Sequence, residues 1–395
     1  MRRMTMNPRA DWQKRVEKLG LTYHTLDDGS PYWNESAYWQ FTSQEIDRLE
    51  AATAELQKLA LAAGDAILDQ DRLAQMRIPR EVVPAIRAAW NSEPPAIYGR
   101  FDLAYDGSSI KLLEYNADTP TGLLEAAVVQ WYWMQECFPD RDQFNSMHEK
   151  LIAKWKDLKD YTASPVYFAS GGSTEDSMTV SYLRDTAEQA GMRTQYIRMH
   201  EIGWDSKHCR FVDLKNKPIG TLFKLYPWEW LLNEPFGPQA LSTLPPSSSL
   251  QEYGPRKDRR QWGSMLWIEP IWKMMWSNKA LLAILWELNP GHELLLPAYL
   301  SGPRELSSYV RKPLLGREGG GIAVVRDGKV IAGSLDGDNA QGYVYQALAP
   351  MAQSAGKTAV LGSWVIDGEP AGMGIRESPD LVTNNTSCFV PHLFY

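Results

Sequence analysis

Four residues of one short segment have the types and spacing to act together on a phosphate. They are Arg100, Asp102, Glu114 and Asn116 in IYGRFDLAYDGSSIKLLEYN. Two alternating runs flank the turn residues DGSS, the pattern of a β-hairpin. With the turn centred on residue 108, residues equidistant from it face each other: Asp102 opposes Glu114, and Arg100 opposes Asn116. All four are even-numbered and share one face, while Phe101, Leu103, Tyr105, Leu113 and Tyr115 share the other, which reads as core. Directly opposed like charges destabilise an antiparallel pair, so Asp102 and Glu114 ask for a cation between them. Mg²⁺ accepts two carboxylates and an amide oxygen and completes its octahedron with water and phosphate. Arg100 would then hold a phosphate or a developing oxyanion. A solvated polar face on which Arg100 neutralises the acids has the same periodicity, and the pattern leaves both readings open.

Other chemistry-bearing segments are weaker alone. KPLLGREGGGIAVV holds Lys312, Gly316, Arg317, Glu318 and Gly319 to Gly321. Consecutive glycines let a backbone approach phosphate oxygens. The GxxxxGK[ST] spacing is absent, and a surface hairpin loop has the same composition. Lys279 opens the helix NKALLAILWEL behind Asn278, a candidate N-cap; a lysine there is usually just exposed, but a cation at that end of a helix dipole is mildly unfavourable and hints at an anionic partner. In GGSTED, Glu175 and Asp176 fit either a helix's first turn or a site for amino groups. Asp118, Thr119 and Thr121 in NADTPTG read as a turn or as ligand-binding groups. The six histidines show no metal or triad spacing.

The elements that must position these residues fall into three stretches. Residues 1 to about 95 read as helical, the hairpin follows, and residues 121 to about 157 return to helix. PVYFAS, the helix SMTVSYLRDTAEQAG and TQYIRM form a βαβ unit. Residues 234–262 are rich in Pro, Ser and charge and read as linker, and the remainder mixes a helix, short strands and the glycine loop. No internal repeat occurs.

A chain of 395 residues is long enough for two or three lobes, and 44% hydrophobic with 23% charged residues is an ordinary globular balance. The net charge of −7 gives no electrostatic footprint for nucleic acid or an anionic membrane. Three widely spaced cysteines, Cys137, Cys209 and Cys388, favour a reducing compartment over a disulfide framework. The basic N-terminus lacks an apolar signal segment, and the most apolar stretch is interrupted by Glu269, Lys273 and Lys279, so a cytoplasmic protein is expected.

Six segments, RFD…EYNADTPT, the βαβ unit with STED, EPIWKMMWSNKALLAILW, YVRKPLLGREG, YVYQALAP and GIRESPDLVT, occur in the order found in the glutathionylspermidine synthase family. The chain resembles the ATP-grasp synthetase part of that family over essentially its whole length. The resemblance implies an α/β (α+β), multi-lobed ATP-grasp-type fold with a small βαβ pre-ATP-grasp-like lobe. Residues 1–160 would form the helical region with the metal hairpin, 161–235 the substrate lobe, and 236–395 the linker, nucleotide-binding and lid region. It implies Mg²⁺ on Asp102, Glu114 and Asn116, and ATP on Lys279, Lys312, Arg317, Gln346, Arg376 and Leu381. Arg100 matches the arginine at the transferred phosphoryl group. Thr119 stands where the family has a serine touching the thiol peptide, and Glu175 and Asp176 match an acidic pair for substrate amino groups. No cysteine precedes Cys137, so the N-terminal cysteine amidase domain of the best-known members is not expected.

The implied activity is ATP- and Mg²⁺-dependent joining of a carboxylate to an amine through an acyl phosphate. The implied partners are small molecules, a peptide or glutathione-like acid and a polyamine or other amine. The same chemistry on an unrelated acid and amine, or a nucleotide-binding module without turnover, are the competing readings.

Overall fold

The computed structural model describes residues 1–245, 264–317, 319–336, 339–383 and 387–395. The longest helix, Ser43–Asp69, starts where Thr42 and Glu45 close a reciprocal capping box. Its apolar stripe, Ile46, Leu49, Leu56, Ala60, Ala63 and Ile67, is buried against the central sheet. Thr53 and Ser363 share a buried hydrogen bond of 2.6 Å across that contact.

The central sheet is antiparallel throughout, in the order Cys388–Val390, Glu369–Ser378, Lys357–Ile366, Tyr98–Tyr105, Ile110–Asn116, with Gln353–Ser354 pairing beside Lys357–Ile366. The hairpin therefore lies at one side of a sheet completed by the chain's last fifty residues. A second sheet, all parallel, runs Leu266–Ile268, Thr221–Leu225, Val166–Ser170, Thr194–Arg198. It contains the expected βαβ unit, whose helix is Thr174–Gln189 and whose helix end is turned by Gly191 at φ +81°. A third, antiparallel sheet joins Ala298–Tyr299, Tyr343–Ala347, Tyr309–Pro313, Ala323–Arg326 and Lys329–Ala332. It carries Lys312 and Gln346 on neighbouring strands.

Two expectations need correction. The first ninety-five residues are not helical alone: Arg2–Thr5 and Ala37–Phe41 are strands, and Ala37–Phe41 pairs in parallel with His392–Phe394 at the other end of the chain. Within the expected linker 234–262, Gly237–Ser242 is a short helix, and residues 246–262 lie outside the described residues, as does Glu318 of the glycine loop. Among the described residues no helix is long and apolar enough to cross a membrane.

Candidate active site

The hairpin forms as its parity requires at its far end: Asp102 pairs with Glu114 and Arg100 with Asn116. Towards the turn the register slips by one, so Leu103 faces Leu112 and Leu113 is an extra, bulged residue. Leu113 was expected in the core; Leu112 takes that place, and Leu113 lines the cleft. The bulge has a use. It turns the Leu113 carbonyl towards Lys312, whose Nζ donates to it at 2.8 Å.

Arg100 forks onto Asp102, with Nε 2.6 Å from Oδ1 and Nη2 3.1 Å from Oδ2, while Nη1 donates to the Thr121 carbonyl at 2.6 Å. Its guanidinium lies 5.7 Å from the Trp364 ring. Across the rung, Lys279 Nζ stands 3.1 Å from Glu114 Oε2 and donates to the Gly316 carbonyl at 2.7 Å. Asn116 Nδ2 bridges the two acids, 3.2 Å from Asp102 Oδ2 and 2.9 Å from Glu114 Oε1. Lys312 Nζ also donates to Gln346 Oε1 at 2.8 Å, and Gln346 Nε2 donates to the Leu112 carbonyl at 2.9 Å.

These surroundings split the titration of the groups. Burial raises Asp102 above the ordinary carboxylate value, and the like charge of Glu114 adds to it against the opposing pull of Arg100. Burial acts on Glu114 in the same direction, yet the charges of Lys279 and Lys312 and the Asn116 hydrogen bond hold it down at about 2. Burial pushes the Lys312 ammonium down to about 8, with Glu114 resisting and Lys279 assisting.

Every residue expected at the site lines one cleft of about 890 Å³: Arg100, Asp102, Glu114, Asn116, Thr119, Glu175, Asp176, Lys279, Lys312, Arg317, Gln346, Arg376 and Leu381. Glu175 and Asp176 occupy the first turn of Thr174–Gln189, where Ser173 Oγ caps the Asp176 amide at 3.0 Å, and they face the cleft from that turn. Capping and exposure to the cleft thus coexist. Lys279 sits one residue ahead of the helix Ala280–Leu288, and Asn278 Oδ1 accepts from the Ala280 amide at 2.9 Å.

Some positioning residues escaped the sequence. Asp118 is neither an exposed turn residue nor a cleft residue; it is buried in an ion pair with Lys224 at 2.8 Å and accepts from the Trp228 amide at 3.0 Å. A lysine in the otherwise apolar strand TLFKL was the available signal. Gly362, opposite Asp102 on the neighbouring strand, leaves room for Arg100. Trp230 and Tyr226 form an aromatic wall at the cleft, and nothing in their local spacing announces it.

Two carboxylates and an amide on one face are a set of hard oxygen donors, given a half-turn of the Asn116 amide that exchanges its nitrogen and oxygen. Among the described residues no three His, Cys, Asp or Glu side chains gather as a metal cage. The donor set suits an ion that keeps positions for water and phosphate, and the residues fit Mg²⁺ in that sense.

The same architecture recurs in a glutathione-synthetase-like effector from Globodera pallida, which aligns over 98% of this chain and 96% of its own with a TM-score of 0.53 at 10% identity. The fold is the glutathione-synthetase-like ATP-grasp fold. A family model described as glutathionylspermidine synthase preATP-grasp matches residues 3–395, and the chain belongs to that family. A Haemophilus influenzae protein whose name assigns it provisionally to the acid–amine ligases is 38% identical over the full length of both chains. Trypanothione synthetase of Crithidia fasciculata is 28% identical over 83% of this chain and 52% of its own. The bifunctional glutathionylspermidine synthetase/amidase of Escherichia coli is 27% identical over 90% and 58%. The chain spans a little over half the length of these last two relatives.

Proposed function

We propose that the cleft activates a carboxylate with ATP and passes it to an amine, joining a peptide or glutathione-like acid to a polyamine or other amine. The observation that carries this is the convergence of Lys279, paired with Glu114, and Lys312, bound to the neighbouring Leu113 carbonyl, on the hairpin strand opposite the Arg100–Asp102 fork. Two ammonium groups and two carboxylates from three distant parts of the chain meet there, which suits a charged, phosphate-bearing reactant. Lys279, Lys312, Arg317 and Arg376 oppose the triphosphate, and Gln346 and Leu381 line the nucleotide. Asp102, Glu114 and Asn116 would hold Mg²⁺, which neutralises charge on the phosphates when bound.

The carboxylate oxygen attacks the γ-phosphorus, the bond to the β-phosphate oxygen breaks, and ADP leaves. Arg100 steadies the transferred group. The amine then attacks the acyl carbon, phosphate departs, and the amine loses a proton. Positioning and charge neutralisation supply most of the catalysis. Thr119 borders the acid, and Glu175 with Asp176 receive ammonium groups of the amine. In this reading residues 161–235 serve the substrates and 236–395 the nucleotide, in the cytoplasm, where the free cysteines Cys137, Cys209 and Cys388 stay reduced.

An ADP-release screen of acid and amine pairs, glutathione with spermidine among them, tests this. ADP that requires both partners, and that chelation of divalent ions abolishes, is the expected result. ADP formed without any amine dependence overturns the amine-transfer step and leaves an ATP hydrolase, and ATP bound but never turned over by any pair overturns the reading in favour of a non-catalytic nucleotide module.

A further inference from the structure

Arg317 leaves the glycine loop and makes two contacts on the far side of the cleft. Its Nη2 donates to Thr119 Oγ1, and its guanidinium carbon lies 5.2 Å from the centre of the Trp230 ring. Those two partners are 111 positions apart in sequence, yet one buried network ties the segments that carry them together. Thr119 follows Asp118, and Asp118 is buried with Lys224 at 2.8 Å. Asp118 Oδ2 also accepts the Trp228 amide at 3.0 Å, at the start of the short helical turn Trp228–Leu231 that bears Trp230. Lys224 donates to the Tyr226 carbonyl at 2.9 Å and stands 4.6 Å from the Trp228 ring. Tyr226 meets the Trp230 ring edge-to-face at 5.6 Å, and its hydroxyl donates to Glu234. Trp230 itself is half exposed, so its ring is available to a partner and adds little to the core.

We propose that Thr119 and Trp230 form a preformed two-point socket for Arg317, and that Trp230 is a positioning residue that holds Arg317 across the cleft. The proposal rests on the ligase reading above. A planar guanidinium satisfies both points at once, a hydrogen bond at its edge and an aromatic face beneath it. The buried Asp118–Lys224 pair fixes the spacing, so Arg317 alone pays an ordering cost on seating. The consequence is chemical. With Arg317 unseated, water reaches the acyl phosphate, its oxygen bonds to the acyl carbon, the carbon–oxygen bond to phosphorus breaks, and phosphate leaves as the free acid reforms. ADP and phosphate then accumulate with no amide.

Trp230→Ala and Trp230→Phe in the full chain decide it. With ATP, Mg²⁺, glutathione and spermidine, Trp230→Ala should raise ADP formed per amide by roughly two- to fivefold, the worth of one partly exposed cation–π contact. Trp230→Phe, which keeps an aromatic face, should return most of that coupling. A substrate-free readout is the Arg317 Nε–H resonance, assigned by its loss in Arg317→Lys. It should be displaced upfield by the indole in the wild type and return to a solvent-like position in Trp230→Ala. An unchanged ADP-to-amide ratio in Trp230→Ala, or an Arg317 resonance indifferent to the substitution, overturns the proposal. If the wild type releases no ADP with this pair, that substrate assignment falls, and the resonance still decides whether Arg317 seats on Trp230.

Discussion

Asp102 and Glu114 face each other across one rung of an antiparallel ladder, and their surroundings push the two carboxyls in opposite directions from the ordinary value, Asp102 up and Glu114 down. The difference lies in their other neighbours. Burial raises Asp102 and the Arg100 fork only partly offsets it, whereas the two lysines around Glu114 overcome burial and hold it at about 2.

The first prediction concerns Glu114 and acid. Its carboxyl is depressed from 4.5 to about 2 in the folded chain, so it contributes stability above the ordinary value that is lost as pH falls towards 2. Glu114→Gln should lower unfolding free energy by on the order of 2–3 kcal/mol at neutral pH, with the deficit shrinking as the medium is acidified. Urea unfolding of both proteins at neutral pH and at about pH 3 measures it. A deficit that stays constant with pH sinks the linkage.

Lys312 carries the second. Its ammonium, pushed down to about 8, is charged at neutral pH and neutral in alkali in the unliganded chain. That lowering is the reverse of the Glu114 case: the charged form costs stability below about 8, and the cost is relieved as pH rises from 8 towards 10.5. Phosphate should hold the proton on, so ATP affinity falls as pH rises through about 8 and binding there takes up a proton. Lys312→Ala should weaken ATP binding roughly 10- to 100-fold, the scale of a charged hydrogen bond in a dry site, and abolish that pH dependence. Its unliganded melting temperature should stay the same or rise. Titration calorimetry in buffers of different ionisation heat reads all of this except the melting point, and unaltered ATP affinity rules out the nucleotide role for Lys312.

The parts of this site that were legible in the sequence were those with a local physical signature. Parity and opposed like charge placed Asp102 and Glu114 together, because a two-residue period leaves no freedom once a turn is fixed. The bulge at Leu113 was hidden, since an extra residue in one strand leaves the composition unchanged. Arg2–Thr5 is mostly exposed and shows no apolar alternation, and Ala37–Phe41 pairs with strands whose partners lie at both ends of the chain. Asp118 looked like a turn residue because its partner Lys224 is 106 positions away. Lys279, Lys312 and Glu175 each carried a weak local signal, but that they converge on one cleft came only from the order of the motifs.

The third prediction separates capping from binding at Glu175. Ser173, not Glu175, supplies the side-chain cap of Thr174–Gln189, so Glu175→Gln should cost the helix only a few tenths of a kcal/mol of dipole interaction. The apparent KM for a working amine should rise roughly three- to tenfold, with ATP affinity and kcat little changed, as expected for loss of uniform substrate binding. Steady-state kinetics with spermidine as the varied amine decides. Amine kinetics identical to wild type would return Glu175 to the helix end alone.

The fourth prediction is made at a residue with no side chain. Gly362 sits on Lys357–Ile366 directly opposite Asp102, and a methyl group placed there lies 2.8 Å from Arg100 Cδ and 3.3 Å from Nε. Arg100 has little room to yield, since its guanidinium already lies by the Trp364 ring and donates to the Thr121 carbonyl. Gly362 has none of the positive φ that favours glycine, so alanine suits its backbone and the strand should still form. The strain falls on the Arg100–Asp102 fork instead. Gly362→Ala should lower kcat/KM by roughly 10- to 100-fold, the cost of misplacing a catalytic group by about 1 Å. ATP affinity, which the proposal assigns to Lys279 and Lys312 at the other side of the rung, should change little. Full activity in Gly362→Ala would show that the fork tolerates displacement and is not what sets the reacting geometry. Equal losses of activity, ATP binding and melting temperature would instead place the damage in the sheet.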